Sequence, residues 1–375
     1  MLKQMIKVIR SGDANGKNMI IKLTLSSGLD IYGFATPNFY GGDWDYGASW
    51  NYLVLSDQPF LLDTGRFNMG KKLLDMINAA SLSINDFKYI VISHGHEDHD
   101  GGLYDLAEMT GKKIKAHAPY KQLTHFYPDL APAGARPDFP ASCWHCFMPE
   151  AYVNQNCLKY HKERTLLEID EIKDGNSGLG ERVKTYHVPG HSPDSLAIQL
   201  GDEAILVGDT VLPEITPFPS REAFFYQVEK VLYPEHTTAD ELYGLRAYIK
   251  SIKKLKKIGE KYSDIITLPG HRLFSNNNWN EINLRDRANE LIEHHIQRCA
   301  AVLQIIKKEA KTIHQITKEH FPAHMLKDIG SAMAELEVHS HLELLIIAED
   351  VMQAGRDKFI AAGSSNFKNI IRNLS

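Results

Sequence analysis

The chain has 375 residues, 42 Lys and Arg against 47 Asp and Glu, 43% hydrophobic residues and 24% charged residues. This composition is ordinary for globular proteins and excludes collagen-like, coiled-coil and disordered classes. The net charge of −5 does not favour a nucleic-acid or anionic-membrane partner. No uninterrupted run of 18 apolar residues is present, which argues against a membrane-spanning helix.

The N-terminal segment MLKQMIKVIRSGDANG is too polar to form the apolar region of a signal peptide. The 4 cysteines are too few for a disulfide framework at this length. Both observations favour a cytoplasmic protein.

Short apolar runs alternate with Gly-rich turns in the first part of the chain. Strands are predicted at 19–27, 49–56, 59–65, 87–93 and 113–118, with helices at 70–82 and 101–111. This alternation indicates an α/β fold. Prolines and aromatic residues interrupt the pattern from about 120 to 172, which predicts an insertion or a substrate-facing flap. Strands are predicted again at 182–188, 195–200, 203–211 and 264–270.

A capping box at Thr238–Glu241 predicts the start of a helix whose apolar residues recur every three or four positions up to Ile258. Its other face is basic, and this face is either a solvated surface or a patch for nucleic acid or an anionic cofactor. The lysines concerned are Lys250, Lys253, Lys254, Lys256 and Lys257.

The sequence after Trp279 is mostly helical in character, with helices predicted at 283–308, 312–321 and 332–350. The segments KFIAAG and NFKNII near the C-terminus predict a small β-wing. We therefore expect a catalytic domain over 1–280, including the insertion, and a helical C-terminal domain over 281–375.

The segment SHGHEDH directly follows an apolar strand and places His94, His96, Asp98 and His99 in one turn. Imidazole and carboxylate groups are ligands for zinc, iron and similar ions. Four such groups in one buried turn are difficult to explain by packing, because each would need a polar partner. Further candidate ligands follow strands downstream: His191, Asp209 and His271.

This pattern resembles that of the metallo-β-lactamase superfamily, H-x-H-x-D-H followed by a His, an Asp and a final His, and the likeness spans Asp63 to His271. The resemblance implies an αββα sandwich with two divalent ions at one edge of its sheets, zinc first, with iron or manganese as alternatives. The ligands that it implies are His94, His96 and His191 for one ion, Asp98, His99 and His271 for the other, and Asp209 between them. Asp63 falls where the family keeps an acidic residue that supports the site from outside.

Sequence features narrow the choice among the branches of this superfamily. His96 stands where diiron flavoproteins of this fold usually carry Glu, secreted β-lactamases usually have a signal peptide, and the extra motifs of β-CASP nucleases are absent. The chain is most similar to glyoxalase II-like thioesterases, lactonases and esterases, in the branch with a winged-helix-like C-terminal domain. That branch also includes endoribonucleases.

These features predict a binuclear hydrolase that attacks a thioester of the acyl-CoA or glutathione type with a metal-bound hydroxide, assisted by Asp98 and Asp209. A thiol, with a pKa near 8.5, leaves with little help from an acid. The alternatives are a ribonuclease or other phosphodiesterase, a lactonase, and a non-catalytic binding module. A membrane partner is not expected, nucleic acid is disfavoured, and a homodimer is an architectural option.

Other polar features have two readings each. Arg272 is either a contact for an anionic substrate group or a surface ion pair, and the turn Tyr40–Tyr46 is either a pocket wall or a hairpin tip. The cluster Cys143, Cys146, Cys157 and His161 is either a structural zinc site or a set of unligated side chains, the latter being favoured. Packing or surface roles are favoured for His294, His295, His339 and His341.

Overall fold

Two β-sheets occupy most of the first 280 residues in the computed structural model, which describes residues 2–38, 46–125, 155–327 and 330–375. The strands of the first sheet are β1 Ile6–Arg10, β2 Ile20–Thr24, β3 Asp30–Thr36, β4 Ser49–Val54, β5 Phe60–Leu62, β6 Tyr89–Val91, β7 Lys113–His117 and β8 Ile169–Ile172. Those of the second are β9 Gly175–Asn176, β10 Val183–His187, β11 Leu196–Leu200, β12 Ala204–Gly208 and β13 Ile266–Pro269. A two-stranded sheet is formed by β14 Phe274–Ser275 and β15 Asn278–Trp279, and a three-stranded sheet by β16 Lys311–Thr312, β17 Val351–Gln353 and β18 Lys358–Ala361.

The first sheet keeps the order of the sequence: β1 to β5 pair antiparallel, and β5 to β8 pair parallel. The second sheet has the order β13-β12-β11-β10-β9, with a parallel pair between β12 and β13. Parallel strands end at the same edge of a sheet. The loops that follow β12 and β13 therefore leave the second sheet at the same edge.

The described helices are α1 Leu2–Met5, α2 Gly70–Ala79, α3 Glu97–Asp100, α4 Leu103–Thr110, α5 Ala118–His125, α6 Gln155–Thr165, α7 Phe225–Val228, α8 Gly244–Lys261, α9 Leu284–Ile305, α10 Ile313–His320, α11 Gly330–Ile347 and α12 Phe367–Asn373. None of them is both long enough and apolar enough to span a bilayer.

Layering follows from the buried faces. One hydrophobic cluster joins Trp50 and Val91 of the first sheet to Leu196 and Leu206 of the second, so the sheets pack face to face. A second cluster packs α2 and α4 on the outer face of the first sheet, and a third packs α8 on the outer face of the second. The predicted αββα sandwich, with a helical region after it, is confirmed.

The C-terminal region differs from its prediction in one element. KFIA forms β18 as expected, but NFKNII forms the helix α12. Phe367 and Ile371, four residues apart, are both buried, so a helical turn covers the core where a strand would bury alternate residues. The cluster on α8 continues through α9 and α11 to Ile371, so the hydrophobic core is continuous across the predicted boundary near 280.

The start of α8 also differs. Thr238 precedes only a short 3-10 turn, makes no side-chain cap, and is followed by an extended Tyr243, so the helix begins at Gly244. The capping-box prediction is therefore wrong: the carboxylate of Glu241 accepts a bond from the backbone N–H of Thr237 (3.0 Å) instead of capping α8.

Intramolecular contacts occupy three lysines of the basic face of α8. Lys250 pairs with Asp240 (2.6 Å), and Lys253 donates to the backbone oxygen of Ile371 (2.6 Å) near the C-terminal end of the chain. Lys254 donates to the backbone oxygen of His187 (2.7 Å). These contacts support a structural role for this face over a nucleic-acid patch.

The C-terminal end of the predicted insertion belongs to the core. Strand β8 pairs with β7 in the first sheet, and Arg164 of α6 reaches the loop after β6. There its guanidinium donates to the buried carboxylate of Asp100 (2.6 Å) and to the backbone oxygen of Gly95 (3.2 Å). Tyr120 and Tyr160 donate to the same carboxylate. The rest of the insertion, 126–154, lies outside the described residues.

We expect Arg164→Met to lower the free energy of unfolding by about 3 kcal/mol, because it leaves Asp100 as a buried charge without its cation. Arg182→Met is the matched control: its side chain is 60% exposed beside Asp202, and its loss should change stability by less than about 1 kcal/mol. Urea unfolding of both variants measures the difference, and equal effects would contradict the anchoring role of Arg164.

We expect a buried histidine pair to make the stability of the helical region depend on pH. Nδ1 of His341 lies 2.7 Å from the backbone oxygen of Glu337, and Nε2 of His341 lies 3.0 Å from Nδ1 of His295. Because a carbonyl only accepts, His341 donates through Nδ1 and accepts from His295 through Nε2. Burial lowers the pKa of His341 to about 4.

A histidine whose folded pKa lies below its unfolded value stabilises the fold above the unfolded value and loses that contribution as the pH falls. From an unfolded pKa of about 6.5, His341 should therefore remove about 2 kcal/mol of stability between pH 7.5 and pH 5. Urea midpoints of metal-free wild type and His341→Gln at both pH values measure this. A pH dependence unchanged in the variant would argue against a neutral buried His341.

Candidate metal centre

The loop after β6 brings the predicted motif to the edge of the sandwich. His94 and His96 follow the strand directly, and α3 then carries Asp98 and His99. All four side chains are buried. A strand that runs into a short helix thus aims two histidines from the turn and two more groups from the helix toward one point.

Two glycines let the downstream residues approach this point. Gly190, before His191, has φ +122°, and a Cβ there would lie 2.2 Å from the backbone nitrogen of Tyr248 in α8. A Cβ on Gly270, before His271, would lie 2.3 Å from Oδ1 of Asp209. Any side chain at either position would displace the loop, which explains the P-G-H sequences at both places.

The predicted residues converge. Nε2 of His271 lies 3.0 Å from Oδ2 of Asp98 and 3.3 Å from Oδ2 of Asp209. Nε2 of His99 lies 3.4 Å from Oδ1 of Asp209, and Nε2 of His191 lies 3.8 Å from Oδ2 of the same residue. Asp209 is therefore central to the cluster.

Three overlapping groups of these side chains have donor atoms within 4.8 Å of one another and could hold metal ions. The groups are His94, His96 and His191; His94, His99 and Asp209; and Asp98, His99 and His271. Every one of the seven residues predicted as a ligand belongs to at least one of these groups.

Hydrogen bonds outside the cluster orient its imidazoles. Asp63 accepts from the hydroxyl of Ser93 (2.7 Å) and lies 2.9 Å from Nδ1 of His99. Because the hydroxyl proton of Ser93 goes to Asp63, its oxygen accepts from Nδ1 of His94 (2.9 Å). Nδ1 of His191 lies 2.9 Å from the backbone oxygen of Phe218, to which it donates. Each of these rings therefore turns Nε2 toward the cluster.

These residues fit divalent ions. Nε2 of His94, Nε2 of His191 and Oδ1 of Asp209 are buried and have no hydrogen-bond partner in the part of the chain that the structure describes. Buried polar atoms are normally paired, so three unpaired acceptors aimed at one point call for a cation. Imidazole and carboxylate donors are those that Zn²⁺ and related ions take.

The charges lead to the same conclusion. Burial would raise the pKa of Asp98 and Asp209, but His99 and His271 lower both well below the usual range. Burial likewise opposes protonation of the two histidines, yet Asp209 and Asp98 raise the pKa of His99 well above its ordinary value and that of His271 to about 9. The metal-free cluster therefore holds protons at positions where metal ions would compensate the carboxylates.

Several contacts had no signal in the sequence. Asn38 donates to Oδ2 of Asp98 (2.8 Å). The ion pair between Arg164 and Asp100 anchors the loop after β6 to α6. Asn38 follows a strand and Arg164 lies in a stretch of weak sequence periodicity, and neither residue matches a spacing rule. Their roles depend on chain segments that meet only in the folded protein.

Three further predicted features concern Arg272, the turn Tyr40–Tyr46 and the cysteine cluster. Arg272 lines the adjoining cavity and pairs with Glu214 (3.3 Å), so both of its readings fit the structure. Tyr46 lines the same cavity. Residues 40–45, Cys143 and Cys146 lie outside the described residues, as does the side chain of Cys157, while His161 is buried.

In the helical region, His295 and His341 are buried in mutual contact, which confirms packing roles for them. His294, His295 and Glu337 also bring donor atoms within 4.8 Å of one another. Here, however, the guanidinium of Arg298 already contacts the Glu337 carboxylate, so a cation is present without a metal.

Solved structures of other proteins resemble the fold of this chain. A metallo-β-lactamase family protein from Thermus thermophilus superposes with a TM-score of 0.63 at 21% identity over 88% of this chain and 98% of that one. A β-lactamase domain protein from Burkholderia ambifaria gives a TM-score of 0.66 at 17% identity over 94% and 95%. At these identities the likeness concerns the fold alone.

A curated relative, an uncharacterised protein of Methanocaldococcus jannaschii, is 28% identical over 101 residues, 27% of this chain and 23% of its own length. The chain thus matches about a quarter of that protein. The sequence model of the metallo-beta-lactamase superfamily matches residues 44–271, which is more than half of the chain. The chain therefore belongs to the metallo-β-lactamase superfamily, whose members are typically binuclear metal-dependent hydrolases.

Proposed function

We propose that this protein is a binuclear metal-dependent hydrolase that cleaves thioesters. The observation that carries the proposal is the convergence of seven buried donor side chains on one point, with unpaired acceptor atoms on His94, His191 and Asp209. In this proposal His94, His96 and His191 would hold one ion, Asp98, His99 and His271 would hold the other, and Asp209 would help to hold both.

The chemistry that two divalent ions supply when bound is a nucleophile derived from water at neutral pH and polarisation of a carbonyl oxygen. The protein contributes fixed positions and charge. Asn38 holds the Asp98 carboxylate by one oxygen, and Asp63 fixes the ring of His99, so neither group rotates away. In this proposal Asp98 and Asp209, both ionised, take up the proton of an attacking water.

The leaving group favours a thioester. A thiol has a pKa near 8.5, so a thiolate departs without a dedicated acid, whereas an alkoxide or an amine needs a proton donor. The cavity beside His191 and Asp209 has mainly apolar walls, including Leu212, Ile215 and Phe218, which suit an acyl chain. An acyl-CoA or a glutathione thioester are the two substrate types that we propose.

A phosphodiesterase function lacks comparable support, because contacts within the protein occupy Lys250, Lys253 and Lys254 and the chain is acidic overall. Zinc is the metal that we propose, on the chemistry of a histidine-rich donor set. The cytoplasmic location and the homodimer stay predictions.

The test is a panel of substrates hydrolysed by zinc-loaded protein before and after chelation: an acyl-CoA, an acyl-glutathione, a lactone, a β-lactam and a phosphodiester. We expect chelator-sensitive hydrolysis of a thioester. Asp209→Asn should lower its kcat/KM more than about a thousandfold, because it removes the central carboxylate while keeping its shape.

Asp202→Asn is the matched control, since Asp202 is an aspartate of the same region whose side chain is 66% exposed. It should keep wild-type rates and zinc content. Hydrolysis of the phosphodiester alone, or equal rates in Asp209→Asn and Asp202→Asn, would refute the thioesterase proposal.

A further inference from the structure

The cavity beside the candidate metal centre has a second polar end. It has a volume of about 310 Å³, and its lining includes His191 and Asp209 of the metal centre. The helical region contributes His294 and Arg298 from α9 and Glu337 from α11 to the same lining. A molecule that fills the cavity therefore touches both the metal centre and the helical region.

Neighbouring side chains hold Arg298 in place. The guanidinium contacts the carboxylate of Glu337 and lies 5.0 Å from the centre of the Phe321 ring, over its face. Burial disfavours ionisation of Glu337, but the charge of Arg298 lowers its pKa to about 2, so the pair stays ionised at neutral pH. The underlying His295–His341 pair fixes the helices that carry both residues.

Arg298 nevertheless keeps one unused donor. Its Nη1 contacts Oε1 of Glu337, whereas its Nε is buried and has no acceptor within the described ranges. Nε2 of His294 is also buried without a partner there, 3.9 Å from Oε1 of Glu337. An arginine cannot lose its charge, so this buried Nε–H calls for an acceptor from another molecule.

We propose that Arg298 and His294 form a binding site for a carboxylate or phosphate at the far end of the substrate. A carboxylate offers two oxygens to the guanidinium fork, and such charge-assisted bonds are the strong ones. Glu337 acts as a positioning residue that holds Arg298 toward the cavity. This inference rests on the proposed hydrolase function and adds to it the side chains that bind an acidic arm of the substrate.

The cavity walls between the two ends are consistent with this assignment. Leu212, Ile215, Pro217 and Met325 line it together with aromatic residues, so the middle of the bound molecule is apolar. A thioester carbonyl at the metal centre, an aliphatic stretch and a terminal anion match the three parts of the cavity. The acidic arm is either the acyl chain or the thiol.

Kinetics with three synthetic thioesters separate these two sources. Glutaryl-N-acetylcysteamine carries the anion on the acyl arm, butyryl-3-mercaptopropionate carries it on the thiol arm, and butyryl-N-acetylcysteamine is neutral. We expect wild type to prefer one acidic substrate over the neutral one by about tenfold or more in kcat/KM, mainly through KM.

Arg298→Met alone would leave Glu337 as a buried unpaired charge, so the test uses the double variant Arg298→Met/Glu337→Gln, which removes both charges. The preference should disappear while hydrolysis of the neutral thioester is retained. Arg285→Met/Asp286→Asn is the matched control, because it removes an exposed ion pair from the same helix and should change nothing.

Calorimetric binding of glutarate and butyrate to the zinc-loaded proteins gives a readout that does not need turnover. We expect wild type to bind glutarate more tightly than butyrate and the Arg298 double variant to bind them equally. If no thioester is hydrolysed but this difference is found, the proposed function fails and the anion site stands.

Three results would overturn the anion site. The first is equal treatment of acidic and neutral ligands by wild type in both assays. The second is an equal decrease in kcat/KM for all three thioesters in the Arg298 double variant, which is expected if the ion pair has only a structural role. The third is a preference that survives in that variant and is lost in Arg272→Met, which would place the anion at the other arginine of the cavity.

Discussion

The attraction between two buried aspartates and the cations beside them is the constraint on which this fold depends. Asp98 and Asp209 lie within about one hydrogen-bond length of His271 and keep their negative charge although they are buried. A buried charge is tolerated only when it is paired or coordinates a metal. The loops after β6, β12 and β13 therefore have to meet. The parallel pairing of β12 with β13 brings two of them to one edge of the second sheet, and the face-to-face packing of the two sheets brings the loop after β6 beside them.

Hydrogen bonds from residues around the metal centre fix the orientation of the side chains that these loops carry. Asp63 joins β5 to the motif through Ser93 and His99, and Arg164 joins α6 to it through Asp100. The first contact sets which ring nitrogen faces the cluster, and the second fixes the loop that carries the rings. A ligand set without these partners would have the right residues in the wrong orientation.

The sequence predicted what depends on local spacing and on strand ends. Residues 94–99 lie in one turn, and His191, Asp209 and His271 each follow an apolar strand, so their convergence could be expected before the fold was known. The Asp100–Arg164 pair joins residues 64 positions apart, and Arg164 follows an irregular segment, so no pattern announced it. NFKNII was mistaken for a strand because six residues are too few to separate a helical from an alternating apolar period.

The continuous core across residue 280 gives the helical region a role beyond stability. Because α9 packs on α8 and α11 packs on both, the position of Arg298 relative to Asp209 is fixed by buried apolar contacts, and no flexible linker intervenes. A cavity wall built this way keeps a constant distance between its two polar ends. Substrate length then becomes a determinant of selectivity, since a chain that is too short cannot reach the guanidinium while its carbonyl lies at the metal centre.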